Sequence, residues 1–147
     1  MVKIKRTGIE KKGTLSLQDL INFAKNNQKS DEVGAIATFT GIVRGYTHEG
    51  DNVLKLELES YEKVAERALQ TISDELRSES GIVDVLIHHL VGTFVIGDEM
   101  VYVVVTGKSR KAVFSTLMTA VERYKHEVPV WKKEYLKDGR KYWVSEK

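Results

Sequence analysis

Lys125 and Lys132 are the side chains whose type and placement most readily do chemistry together, because the only proline of the chain, Pro129, stands between them. Upstream, Val113, Leu117 and Val121 recur every fourth residue and the next step lands on Lys125, so an apolar helical stripe ends in an ammonium. Pro129 cannot continue a helix and biases Val128 to an extended conformation, so the chain must run on as a strand. In that strand Val130, Lys132 and Glu134 share one face, and Trp131, Lys133 and Tyr135 the other. A helix-end lysine and a strand lysine joined by a rigid turn can converge on one pocket, where paired ammoniums favour an anionic or carbonyl substrate. Lysine also meets the negative end of a helix dipole, and strand lysines are often solvated, so spacing alone leaves a purely structural role open.

Composition bounds the chemistry further. The chain has no cysteine, which excludes disulfides, thiolate metal ligands, a nucleophilic thiol and a persulfide carrier. Its net charge of +2 over 147 residues does not indicate a nucleic-acid binder. Residues 1–147 read as one domain without a linker, a repeat, a signal peptide or a membrane span, and a cytoplasmic protein is expected.

Several elements must position the lysines. Ser16 and Asp19 form a variant capping box ahead of Leu17, Leu20, Ile21 and Ala24, which predicts a short helix closed at Asn26 and Asn27. The β-branched run from Gly34 to Arg44 predicts a buried strand with a bulge or close approach at Gly41. After a polar loop from Gly45 to Asn52, Leu54, Leu56 and Leu58 alternate with Lys55, Glu57 and Glu59, and the two strands are expected to pair antiparallel. Val64, Ala68, Ile72 and Leu76 mark the buried face of a second helix ending near Gly81. Val83 to Val91 and Met100 to Thr106 are strands joined through Gly92 and a turn at Gly97-Asp98-Glu99. His88 and His89 fall on the first and must face opposite ways, so they cannot chelate one metal together.

Gly107-Lys108-Ser109-Arg110-Lys111 opens the third helix, with Ser109 as a cap and basic residues beside amides that attract anions. It is not a Walker A loop, since Tyr102 stands where that motif needs glycine. The Asp138-Gly139 turn predicts a closing hairpin. This order of elements is α+β, with a mixed, mainly antiparallel sheet and packed helices.

Taken together, TFTGIVR (38–44), HHLVG (88–92), IGDE (96–99), VVVTGKSR (103–110) and YKHEVPVWKKE (124–134) resemble the catalytic, large subunit of molybdopterin synthase, the MoaE family. The resemblance runs from about residue 34 to the C-terminal hairpin. It implies an α/β-hammerhead fold and a homodimer whose subunits each bind one small ubiquitin-like subunit, giving a heterotetramer. The implied reaction is a sulfurtransferase step of molybdenum cofactor biosynthesis. Cyclic pyranopterin monophosphate, or precursor Z, gains two sulfurs as the dithiolene of molybdopterin, and the sulfur arrives as a thiocarboxylate on the small subunit's C-terminal Gly-Gly. Neither cofactor nor metal is implied.

Carried over by position, Lys125 and Lys132 are the catalytic lysines. Ile42, Val43 and Arg44 line the pterin pocket, Lys133 and Glu134 extend the second lysine's segment, and Arg110 reaches the substrate from the other subunit. Ser109 stands where the family commonly has histidine; it can hold a phosphate oxygen but cannot donate a proton near neutrality as imidazole does. Lys125, as the end of a buried stripe, is expected to take part in proton transfer or transient covalent chemistry, and Lys132 to act as an electrostatic clamp. Two other readings stand beside this one: a silent partner-binding scaffold of the same fold, and a small nucleic-acid-binding domain stacking bases on Tyr124, Trp131 and Tyr135.

Overall fold

A computed structural model describes residues 3–144. Among these residues, β1 (Thr7–Lys11), α1 (Leu17–Lys25), β2 (Ala35–Ile42), β3 (Val53–Ser60), α2 (Glu62–Arg77), β4 (Ile82–Phe94), β5 (Glu99–Gly107), α3 (Arg110–Glu127), β6 (Val130–Leu136) and β7 (Lys141–Val144) follow in order. The strands form one sheet in the order β2-β5-β4-β3-β6-β7, with β1 added parallel to β4 and the other pairs antiparallel. The fold is α+β.

The central strands are apolar on both faces. Val85, Ile87, Val101, Val103 and Val105 join the core beneath α2 and α3, while their neighbours Leu86, Leu90, Tyr102 and Val104 join Leu20 and Ala24 of α1 in a second core. That assignment follows from the period of two in a strand. Val53, Leu56, Leu58 and Leu136 belong to the second core as well. Gly92, at φ +129°, marks the point where β4 changes partner, from β1 and β5 to β3.

The α1 cap forms as its sequence predicts. The Asp19 amide donates to Ser16 Oγ at 3.2 Å and the Ser16 amide to Asp19 Oδ2 at 2.9 Å. Other expectations are corrected. β2 and β3 do not pair with each other: β2 takes the outer edge of β5, and β3 lies between β4 and β6. A register shift after Gly41 turns the chain away, and the Tyr46–Asn52 bridge closes the loop before β3 begins. A Cβ on Gly41 would meet Val101 Cγ1 at 2.5 Å, so the close approach is real.

In β3 the irregularity between Val53 and Lys55 buries Val53 and leaves Leu54 half exposed, against the expected alternation. On α2 the buried positions are Ala65, Leu69, Ile72, Ser73 and Leu76, and Val64 is exposed. The five-residue β1 was not foreseen, because a strand so short carries little periodicity.

Candidate active site

The turn at Pro129 sets the site. α3 ends at Glu127, Val128 is extended at φ −96° and ψ 123°, and β6 starts at Val130. Arg123 fixes the end of the helix, pairing with Glu127 at 2.7 Å and with Glu75 of α2 at 2.8 Å. On β6, Lys132 stands opposite Leu58 and Val144, and Glu134 opposite Leu56 and Tyr142. Directly opposed residues share a face, so Lys132 and Glu134 point inward and Trp131, Lys133 and Tyr135 outward.

These elements enclose a cavity of about 610 Å³. Arg44 enters from the exit of β2, Lys125 from the end of α3, and Lys132 with the buried Glu134 from β6. Ile42, Thr47, His48, Glu49, His89, Tyr124 and Tyr142 complete much of the wall. The volume is that of an ordinary small-molecule pocket. Three cations and two carboxylates in one concavity can bind a polyanion and stabilise charge that develops during reaction. A cavity of similar size, about 630 Å³, opens between β1 and β3, but there Lys11 and Lys12 alternate with Glu10, Glu59 and Glu62 and no single charge sign accumulates.

The two histidines face opposite ways. His88 is buried, with Nε2 at 2.7 Å from the Lys5 carbonyl and Nδ1 at 3.3 Å from Glu10 Oε1. Burial holds its imidazole below the ordinary value, against the opposing pulls of the Lys5 carbonyl and Glu10. His89 instead forms part of the cavity wall, its Nδ1 at 3.0 Å from the Leu90 carbonyl and its ring edge-on to Tyr124 at 5.8 Å. Burial also raises the Tyr142 phenol, and Glu134, Glu49 and Asp51 push it the same way.

Of the residues singled out in sequence, Ile42, Arg44, Lys125, Lys132 and Glu134 meet at the cavity. Val43 does not: it follows the register shift, turns inward and packs in the second core. Lys133 lies on the other face of β6, its ammonium 5.3 Å from the Tyr135 ring and 5.4 Å from that of Trp143. Ser109 and Arg110 sit at the far end of α3, where Ser109 Oγ accepts from the Ala112 amide at 3.4 Å. Lys125 is exposed rather than partly buried, because the buried stripe of α3 is Val113, Thr116, Ala120 and Tyr124.

Thr47, His48, Glu49, His89 and Tyr142 were not anticipated as lining residues. Only His89 had a signal, through its alternation with His88 on a recognisable strand. The outward face carries Glu57 and Glu59 beside Trp131 and Lys133, and Tyr124 is buried, so no continuous basic, aromatic surface for nucleic acid forms on this face of the described residues. No helix of the described residues is long and apolar enough to cross a membrane.

Comparison with known proteins gives a consistent picture. The family model described as MoaE protein matches residues 11–127. A probable molybdopterin synthase of Haloferax volcanii is 40% identical over 134 residues, covering 90% of this chain and 51% of that protein. The molybdopterin synthase catalytic subunit of Bacillus subtilis is 37% identical over 125 residues, covering 85% of this chain and 78% of that protein. The chain therefore spans about half the length of the first relative and over three quarters of the second. The crystal structure of molybdopterin synthase from Staphylococcus aureus superimposes with a TM-score of 0.84 at 32% identity, covering 97% of this chain and 98% of that one.

Proposed function

This chain belongs to the MoaE protein family, and on that premise we propose that it is the catalytic subunit of a molybdopterin synthase. It transfers sulfur to precursor Z from the thiocarboxylated Gly-Gly tail of a small ubiquitin-like protein, in the cytoplasm, as one domain over residues 1–147. The observation that carries the reading is the convergence of Arg44, Lys125 and Lys132, from three separate elements, on one cavity of small-molecule size.

The chemistry fits those groups. Attack by sulfur, expulsion of phosphate and release of the small protein's carboxylate all develop negative charge, which fixed cations stabilise without reorganising. Lys132 is held on a paired strand and acts as the clamp. Lys125, at the more open rim, is placed for proton transfer or transient acylation. Glu134, on the same face of β6, orients these cations. Arg110 serves the pocket of a second copy in a homodimer, and each pocket receives one small-protein tail, giving a heterotetramer. With no cysteine in the chain, the transferred sulfur must come from outside it.

The deciding experiment mixes the chain with precursor Z and a thiocarboxylated small protein and assays dithiolene product. Product is expected only with the intact tail. Deleting the last two glycines should weaken the complex without abolishing it, because a folded surface docks as well, and should stop product formation completely. Equal rates from free sulfide without any small protein would overturn the reading. Complex formation without product would favour the scaffold alternative.

A further inference from the structure

We propose that His48 is the proton-transferring imidazole of the cavity and activates the water that frees the transferred sulfur from the tail. This rests on the sulfur-transfer reading above. When a thiocarboxylate sulfur bonds to a substrate carbon, the tail's terminal carbonyl stays joined to that sulfur as a thioester. To release it, the oxygen of water must bond to the carbonyl carbon while the carbon–sulfur bond breaks. The tail leaves as a carboxylate and the sulfur stays on the pterin as a thiol. One proton of the water passes through a base to that sulfur, the other goes to solvent, and no oxidant or reductant is needed.

The cavity offers few groups for that proton; the carboxylate Glu49 lines it too, but a carboxylate is intrinsically the weaker base beside an imidazole. Arg44 and Lys132 are cations fitted to the oxyanion of the tetrahedral intermediate, Lys125 serves the transfer of sulfur to the substrate that precedes this hydrolysis, and Glu134 is buried beside them on the β6 face. His89 is 2% exposed and built into the wall by its contacts with the Leu90 carbonyl and Tyr124. Ser109, at the far end of α3, offers no imidazole from a neighbouring copy either.

His48 is exposed at the rim and lines the same cavity. Its backbone is not loose. The Thr47 amide donates to the Asp51 carbonyl at 2.9 Å, the Gly50 amide to the Thr47 carbonyl at 3.0 Å, and the Asp51 amide to Thr47 Oγ1 at 3.1 Å. Arg140 then ties this turn to the hairpin that carries Tyr142, pairing with Asp51 at 2.9 Å and Asp138 at 2.7 Å. An imidazole that lines the same cavity as those cations can relay a proton from the attacking water to the departing sulfur.

The test is a single turnover with precursor Z and thiocarboxylated small protein, comparing the unmodified chain with His48→Gln and His48→Ala. Dithiolene formation should fall by about 100-fold in both variants. Intact mass spectrometry should show the small protein accumulating with the pterin attached through sulfur, and added imidazole should restore the His48→Ala rate. Unchanged rates in both variants would overturn the proposal, as would slowing with neither adduct nor rescue. Failure of the unmodified chain to form dithiolene would instead overturn the parent reading, so the two failures are distinguishable.

Discussion

Arg110 and Lys125 stand at opposite ends of α3, so the helix holds them apart by about 22 Å along its axis. Within one chain they cannot act on the same small substrate. If Arg110 serves the neighbouring copy, mixing inactive Lys125→Ala chains with inactive Arg110→Ala chains restores one complete pocket in each mixed dimer. With free exchange, half the dimers are mixed and activity should return to about one quarter of the unmodified level. No recovery after exchange has been verified by mass spectrometry would remove Arg110 from the neighbouring copy's pocket.

The two lysines separate by substitution. Lys125→Ala and Lys132→Ala should each lower turnover by about 100- to 1,000-fold, since each removes a fixed cation from the site of developing charge. Lys125 is exposed, so its loss should change unfolding free energy by no more than about 0.5 kcal/mol in urea titrations. Arginine keeps the charge but not the transferable proton or the nucleophile. Lys132→Arg should therefore retain more activity than Lys125→Arg. The reverse order would exchange their roles.

How far the sequence discloses this arrangement depends on the signal at each position. Pro129 and the alternation after it were enough to place Lys132 and Glu134 on one face and Lys133 on the other, because strand period is a local property. The helical repeat of Val113, Leu117 and Val121 misled by one position. Thr116, Ala120 and Tyr124 are the buried neighbours, a choice made by packing against β2 and β5 that no hydropathy pattern records. Tyr142 was hidden by a register effect. A two-residue Asp138-Gly139 turn would set Trp143 opposite Glu134, but Leu136 and Arg140 close a three-residue loop with Gly139 at φ +94°, and the slip turns Tyr142 inward. His48 was invisible because its place depends on Arg140, distant in sequence, holding the loop down.

His88 makes stability depend on pH. Burial holds its folded-state pKa below the unfolded value of 6.5, so the folded protein binds fewer protons than the unfolded chain between those values. That contribution is fully present above about pH 6.5 and is lost as pH falls toward the folded pKa. Urea unfolding at a series of pH values from about 7 to 5 should show stability declining on acidification, and His88→Leu should flatten the decline. An unchanged slope in the variant would assign the decline to other groups.

Asp84 is the buried joint of the N-terminal half. It is 0% exposed, and its carboxylate accepts from Arg6 Nε at 2.8 Å, Asn27 Nδ2 at 2.7 Å and the Val85 amide at 2.9 Å, tying the approach to β1 and the end of α1 to the start of β4. Removing the carboxylate leaves the Asn27 and Val85 donors without their acceptor, so Asp84→Ala should cost about 3–5 kcal/mol in urea unfolding. Arg6→Ala should cost less, since that side chain is 42% exposed and two donors remain to the carboxylate. The pair should be non-additive, the double variant costing less than the sum of the two. Asp84 lies five strand residues from His89, about 16 Å, so turnover of the Asp84→Ala protein that remains folded should stay near the unmodified rate. A loss of turnover at full folding would mean that the N-terminal joint governs the cavity, and a cost below about 1 kcal/mol would mean that it is no joint at all.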